Sequence, residues 1–151
     1  MSQIIVSDSA CLIGLERIGH LEILPSLFTS PILIPPAVHK EFGVMLPWLK
    51  VETIADMGLV LSLEMLVDEG EAEAIALAYQ LNTIVILDDQ KARKVARNLG
   101  VLYEGTISIL IKAKQAGIIS AIKPLINDLE SNGFYLSQSL KQEAIKLADE
   151  A

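Results

Sequence analysis

Four short apolar runs constrain this chain more than any other feature: Ile4-Ile5-Val6, Pro31-Ile-Leu-Ile-Pro35, Thr83 to Leu87, and Val101-Leu-Tyr103. The Thr83–Leu87 run has no polar alternation, so its strand must be apolar on both faces and lie inside a sheet covered on both sides. Helical segments with readable ends lie between the runs. Ser7-Asp8-Ser9 caps a helix over 10–18 closed by Gly19, and residues 21–28 form another. Pro36 or Ala37 opens a helix through Phe42 that ends near Gly43. Asp68-Glu-Gly-Glu71 has the form of a capping box, ahead of a helix over 71–81 with Ala74, Leu77, Ala78 and Leu81 on one face. Asp89 caps a helix over 90–99 stopped by Gly100, and Thr106 caps one to Ala116 stopped by Gly117. Helices over 121–131 and 139–150 follow, split by Asn132-Gly133. Residues 46–60 are the least readable, with 48–51 and 58–63 both suited to extended segments. Strands alternating with helices predict an α/β fold, a three-layer α/β/α sandwich around a central parallel sheet. The 151 residues fit one domain, 1–151, in which 118–151 is a C-terminal helical extension.

Composition removes several classes. A mean hydropathy of +0.46 and 52% hydrophobic residues exclude wholesale disorder, because the chain has the apolar surface to offset ordering entropy. The longest uncharged run, 23–39, contains Pro25, Pro31, Pro35 and Pro36, too many for a membrane-spanning helix. The first basic residue is Arg17 and Asp8 interrupts the first apolar stretch, so no signal peptide is expected. One cysteine, Cys11, excludes a disulfide scaffold and a cysteine-cluster zinc site, and the expectation is a reducing, cytoplasmic setting with Cys11 as a small core residue. His39-Lys-Glu41 lacks the Cys-x-x-Cys a zinc deaminase needs. No P-loop, Gly-x-Gly-x-x-Gly or His-Glu-x-x-His occurs.

The formal net charge of −7 argues at first against nucleic acid, but the charge is unevenly distributed. Residues 90–123 hold Lys91, Arg93, Lys94, Arg97, Lys112, Lys114 and Lys123 against Glu104 alone, a net +6 that leaves −13 on the remainder. Ligands of parallel sheets collect beyond the carboxyl ends of the strands. There, Asp8 follows one strand and Asp88-Asp89 another. Carboxylates brought together raise each other's pKa unless a cation lies between them, and a hard divalent ion, Mg²⁺ or Mn²⁺, is the usual solution. Glu41, on the helix after Pro35-Pro36, and Glu71 are further candidates. Glu71 and Glu73 project roughly 200° apart on a helix, so only one enters a given pocket; Glu71 lies nearer the apolar face. Asp88 and Asp89 likewise point to opposite sides of a continuing strand, and one of them is free to cap the helix. The basic stripe starts two residues after Asp89, and Arg93 and Arg97 share a helix face suited to successive phosphates.

Together these residues resemble the motifs of PIN-domain proteins. Val6-Ser7-Asp8-Ser9 is similar to their opening motif, Ala37-Val-His-Lys-Glu41-Phe to the second, Gly70-Glu71-Ala-Glu73-Ala-Ile-Ala-Leu-Ala78 to the third, and Ile86-Leu87-Asp88-Asp89 with Ala92-Arg93 to the fourth. Glu71 and Asp89 are 18 residues apart, matching the family's interval and favouring Asp89 over Asp88. The third motif's acid is more often aspartate in that family. Gly105-Thr106 before an apolar helix resembles a VapC-like subfamily. The resemblance implies an endoribonuclease dependent on Mg²⁺ or Mn²⁺. Asp8, Glu41, Glu71 and Asp89 would be catalytic and metal-holding, Asp88 and Glu73 alternates, and Ser9 and Thr106 polar supports. Lys91, Arg93, Lys94 and Arg97 would contact RNA. It further implies the toxin of a toxin–antitoxin pair, with an antitoxin protein as partner and a homodimeric assembly. The alternative is a catalytically inactive RNA- or protein-binding module of the same fold.

Overall fold

The strands are β1 (Ile5–Ser7), β2 (Ile32–Ile34), β3 (Leu49–Val51), β4 (Ile84–Ile86) and β5 (Tyr103–Glu104). In the computed structural model, which describes residues 4–150, they form one sheet in the order β3-β2-β1-β4-β5, with every pair parallel. Residues 1–3 and 151, the ends of the expected domain, lie outside the described residues. The chain starts at the central strand, fills one side of the sheet with β2 and β3, then returns to fill the other with β4 and β5. The reversal leaves a crevice between β1 and β4, the place where doubly wound sheets bind ligands. Ser7 pairs with Ile86, and Asp8 continues the ladder by donating its N–H to the Ile86 carbonyl at 3.2 Å. The two acid-bearing strand ends therefore lie side by side.

Helices flank the sheet: α1 (Ser9–Arg17), α2 (Ile23–Leu27), α3 (Pro36–Phe42), α4 (Met57–Glu64), α5 (Glu69–Leu81), α6 (Gln90–Asn98), α7 (Thr106–Gln115), α8 (Lys123–Ser131) and α9 (Gln138–Leu147). Ile5, Val6, Ile32, Ile34, Val85 and Ile86 are buried on both sheet faces, as an uninterrupted apolar run requires. Each such side chain contributes about 1.5–3 kcal/mol of transfer free energy. α5 carries the chain back to β4 and packs against α3, α4, β1 and β4. Alanines at 72, 74, 76 and 78 allow that close approach and are buried nearly all round the helix, while Leu81 is exposed rather than on the packed face. Ile122, Leu125, Ile126, Leu129 and Leu136 join the same core as the sheet, so the C-terminal helices share its packing. Glu150 ties their end down, accepting from the Ile122 and Lys123 amides and from the Lys114 ammonium.

Three local expectations need correction. Residues 58–63 belong to helix α4, not to a strand, because the Asp56 carboxylate accepts the Leu59 N–H at 3.0 Å and starts a helix that the short apolar run does not by itself reveal. The helix expected over 21–28 shortens to Ile23–Leu27. Thr106 is not the cap of α7: Gly105 holds that position without a side-chain bond, and Thr106 is the first residue of the helix. Four helix stops do fall where glycine permits a left-handed turn, at Gly19, Gly43, Gly100 and Gly117.

Candidate active site

Asp8 closes β1 and caps α1, its Oδ1 accepting the Cys11 N–H at 3.3 Å. Only 3% of it is exposed, so its charge is poorly hydrated. Burial first, and then the negative charge of Asp88, push its carboxyl well above the usual range. Cys11 itself is fully buried in the core.

Asp88 is held from outside its own strand. Its Oδ1 accepts the Thr106 N–H at 2.8 Å and its Oδ2 accepts the Thr106 hydroxyl at 2.6 Å. The Arg93 guanidinium stands 3.9 Å from Oδ1, donates through Nε to the Leu87 carbonyl at 2.8 Å, and lies over the Tyr103 ring. Burial still raises the Asp88 carboxyl, against the lowering effect of Thr106 and Arg93. Gly105 makes this packing possible, since a Cβ there would lie 2.1 Å from Arg93 Nη2 and 3.0 Å from Asp88 Oδ1. Asp89 is exposed and caps α6, accepting the Ala92 N–H at 2.9 Å. The motif spacing favours Asp89; in the structure Asp88 is the more deeply set carboxylate and the one whose charge acts on Asp8, while the charge of Asp89 acts on Glu71.

Glu71 completes the capping box of α5: its N–H donates to Asp68 Oδ1 at 2.8 Å, and its Oε1 accepts the Asp68 N–H at 3.3 Å. The same side chain lines a cleft of about 330 Å³ together with Asp8, Ser9, Glu41 and Asp68. Partial burial and the adjacent Asp68 push its carboxyl up to about 7. Glu41 is exposed and accepts a hydrogen bond from the Ser9 hydroxyl. Gly70 leaves room for it, because a Cβ there would sit 3.3 Å from Glu41 Oε1. Glu73 turns away from this cleft and accepts the Ala37 N–H at 3.0 Å. The divergence of Glu71 and Glu73 is that of two positions about 20° short of full opposition on a helix.

The basic stripe is broken up by the fold. Lys112 pairs with Glu104, Lys114 with Glu150, and Arg93 is turned inward onto Asp88 and Leu87 rather than outward. Lys91, Lys94 and Arg97 are exposed on α6 and make no salt bridge among the described residues. Two groups escape a reading by motif. Asp68 was legible only as a cap, yet it lines the acidic cleft; Arg17 closes α1 and lines the same cleft from the far end. The periodicity of α1 places Arg17 on the stripe of Ser9 and Ile13, which is the signal available for it.

Carboxylates gathered at the switch point of a parallel α/β sheet, one of them buried, mark the place where domains of this architecture bind ligands. The profile of a PIN-domain family, DUF3368, matches residues 4–150, and the chain belongs to that family. PIN domains are typically metal-dependent nucleases. Among solved structures, a PilT N-terminus domain protein from the hyperthermophilic archaeon Sulfolobus solfataricus P2 is similar, with 19% identity, a TM-score of 0.49, and coverage of 71% of this chain and 91% of that one. No curated protein matches. Among the described residues, no helix is long and apolar enough to cross a membrane.

Proposed function

We propose that this chain is an endoribonuclease that hydrolyses RNA phosphodiester bonds at the acidic cleft with Mg²⁺ or Mn²⁺. One observation carries the reading: the buried Asp8 carboxylate closes one strand beside Asp88, which follows the adjacent parallel strand and whose negative charge acts on it, and Glu71 lines the same cleft as Asp8. Arg93 reaches only the Asp88 side, at 3.9 Å, which leaves Asp8 and Glu71 with no ion-paired cation among the described residues. All-oxygen donors of this charge fit a hard divalent cation and fit poorly with zinc or copper. Asp8, Asp88 or Asp89, Glu41 and Glu71 would hold it, and when bound it would lower the pKa of a water and offset charge on the scissile phosphate.

The chain's own groups have separable tasks. Ser9 fixes the Glu41 carboxylate by its hydrogen bond. Thr106 and Arg93 fix the rotamer of Asp88. Glu71 lines the cleft beside Asp8 and Glu41, where it or Glu41 would either hold the metal directly or accept the proton of the attacking water. Lys91, Lys94 and Arg97 supply exposed positive charge for the RNA backbone next to the site. A toxin role, with an antitoxin partner and a second copy of the chain, belongs to the same proposal; its support is the motif resemblance, and a short adjacent gene for a DNA-binding protein would strengthen it.

The test is cleavage of single-stranded RNA by the purified chain with Mn²⁺, with EDTA, and as Asp8→Asn. Metal-dependent cleavage that falls about a hundredfold or more in the variant, with an unchanged circular dichroism spectrum, is the expected result. Undiminished cleavage by Asp8→Asn removes Asp8 from the mechanism. No cleavage and no thermal shift at millimolar Mn²⁺ would place the chain with binding modules instead.

A further inference from the structure

The acidic cleft extends beyond its carboxylates. Ser9, Ala10, Ile13, Gly14 and Arg17 line it along one face of α1, so it runs from the acids to Arg17 over about 12 Å at 1.5 Å per residue. The turn between α8 and α9 supplies its remaining wall through Asn132, Gly133 and Phe134. That turn is well defined: Gly133 has φ +91, Asn132 Nδ2 donates to the Asp128 carbonyl at 2.8 Å, and Phe134 N–H donates to the Leu129 carbonyl at 2.9 Å.

Phe134 is half-buried, and its ring lies against α1 where Gly14 carries no side chain. A Cβ at Gly14 would be 3.2 Å from Phe134 Cδ2 and 3.3 Å from Leu129 Cδ2, tighter than ordinary packing. A mid-helix glycine weakens a helix, so its presence in α1 coincides with a ring seated on the bare backbone. Part of the ring is left facing the cleft. Arg17 is exposed at the same end and makes no salt bridge among the described residues.

An acidic centre repels a polyanion, so RNA needs a cation and an uncharged contact beside it to be retained. Aromatic faces stack single-stranded bases whatever their identity, and guanidinium groups hold the intervening phosphates. We infer that Arg17 and Phe134 form a nucleotide subsite flanking the acidic centre: Phe134 stacks on an unpaired base and Arg17 holds its phosphate. This rests on the ribonuclease reading above. It assigns a positioning role to the C-terminal segment, which carries none of the metal-binding acids.

The experiment measures binding of a fluorescein-labelled single-stranded RNA and its duplex to the full chain carrying Asp8→Asn, in EDTA, over a series of salt concentrations. On that background, Phe134→Leu, which keeps an apolar group against Gly14, should weaken single-strand binding about tenfold and leave the salt dependence unchanged. Arg17→Gln should weaken it by a similar factor and reduce the salt slope by about one contact. Phe134→Trp should retain affinity and keeps the test open if the leucine variant melts early. Unchanged single-strand binding in both Phe134→Leu and Arg17→Gln, in a chain whose wild type cleaves RNA, overturns the subsite and leaves the ribonuclease reading standing. Equal losses on single strand and duplex overturn the stacking role. A wild-type chain that neither binds nor cleaves single-stranded RNA removes the ribonuclease reading and the subsite with it.

Discussion

Helix α5 presents glutamates to two acidic clusters that look alike in composition and differ in physics. On one side Glu71 joins Asp68, Glu41 and Asp8 in the cleft at the strand ends, with Asp88 acting on Asp8 from the neighbouring strand. On the other, carboxylate oxygens of Glu64, Glu69 and Glu73 lie within 4.8 Å of one another. Glu64 and Glu69 are exposed and hydrated, and the buried Glu73 spends its charge on the Ala37 N–H at the start of α3. Proximity of carboxylates is therefore not what distinguishes a functional site. The strand-end group differs because the fold removes Asp8 and part of Glu71 from water and sets other carboxylates beside them, so their protonation is displaced.

The sharpest contrast between the clusters is in catalysis. Asp8→Asn should lower RNA cleavage about a hundredfold or more, whereas the double variant Glu64→Gln/Glu69→Gln should cleave at the wild-type rate; a comparable loss in the double variant would erase the distinction. Next comes metal linkage. With Mn²⁺ at a hundred times its Kd, the melting temperature should rise by about 5–10 °C in wild type. Asp8→Asn and Glu71→Gln should lose most of that rise, while Glu69→Gln and Glu73→Gln keep it. Scanning calorimetry reads the four variants directly.

A smaller effect separates structural from functional glutamate. Glu73→Ala should destabilise the fold by about 1–2 kcal/mol in urea titration, because it leaves the Ala37 N–H without its acceptor. Glu73→Gln, which still offers a carbonyl oxygen, should recover most of that stability. The smallest effect is on pH. The Glu71 carboxyl is raised from 4.5 to about 7 on folding, so the folded chain binds the extra proton and its benefit is complete below about pH 4.5. That benefit is lost as pH rises toward 7, so the metal-free melting temperature should fall across this window, and less steeply in Glu71→Gln. A melting temperature that rises from pH 5 to 7 more steeply in wild type than in Glu71→Gln would contradict the assignment.

Legibility followed the range of the interaction. The helix stop at Gly43 and the capping box at Asp68 depend on residues a few positions apart, and both occur as the pattern predicts. The strand at 49–51 had only a short Leu-Lys-Val segment to announce it and is specified by pairing with β2. Helix α4 was masked because a short run of apolar residues reads equally as strand or helix, and the Asp56 cap decides it. Arg93 illustrates the limit for charge. Its position on α6 suits a solvent-facing phosphate contact, but the carbonyl of Leu87, the Tyr103 ring and a glycine at 105 draw it inward. Thr106 likewise reads as a cap of its own helix, and the Asp88 carboxylate that takes its N–H and hydroxyl comes from 18 residues earlier.

By itself the sequence determined the parallel α/β class, the candidate carboxylates and the separation of Glu71 from Glu73, because strand burial, helix caps and helical angle are local or periodic properties. Tertiary structure alone decided that Asp88 rather than Asp89 is the deeply set partner of Asp8, that the +6 segment is divided into paired and exposed cations, and that Arg17 and Phe134 share the acidic cleft. Those outcomes depend on side chains from different elements meeting in a desolvated space, where electrostatic energies follow distance and burial, neither of which is carried by position along the chain.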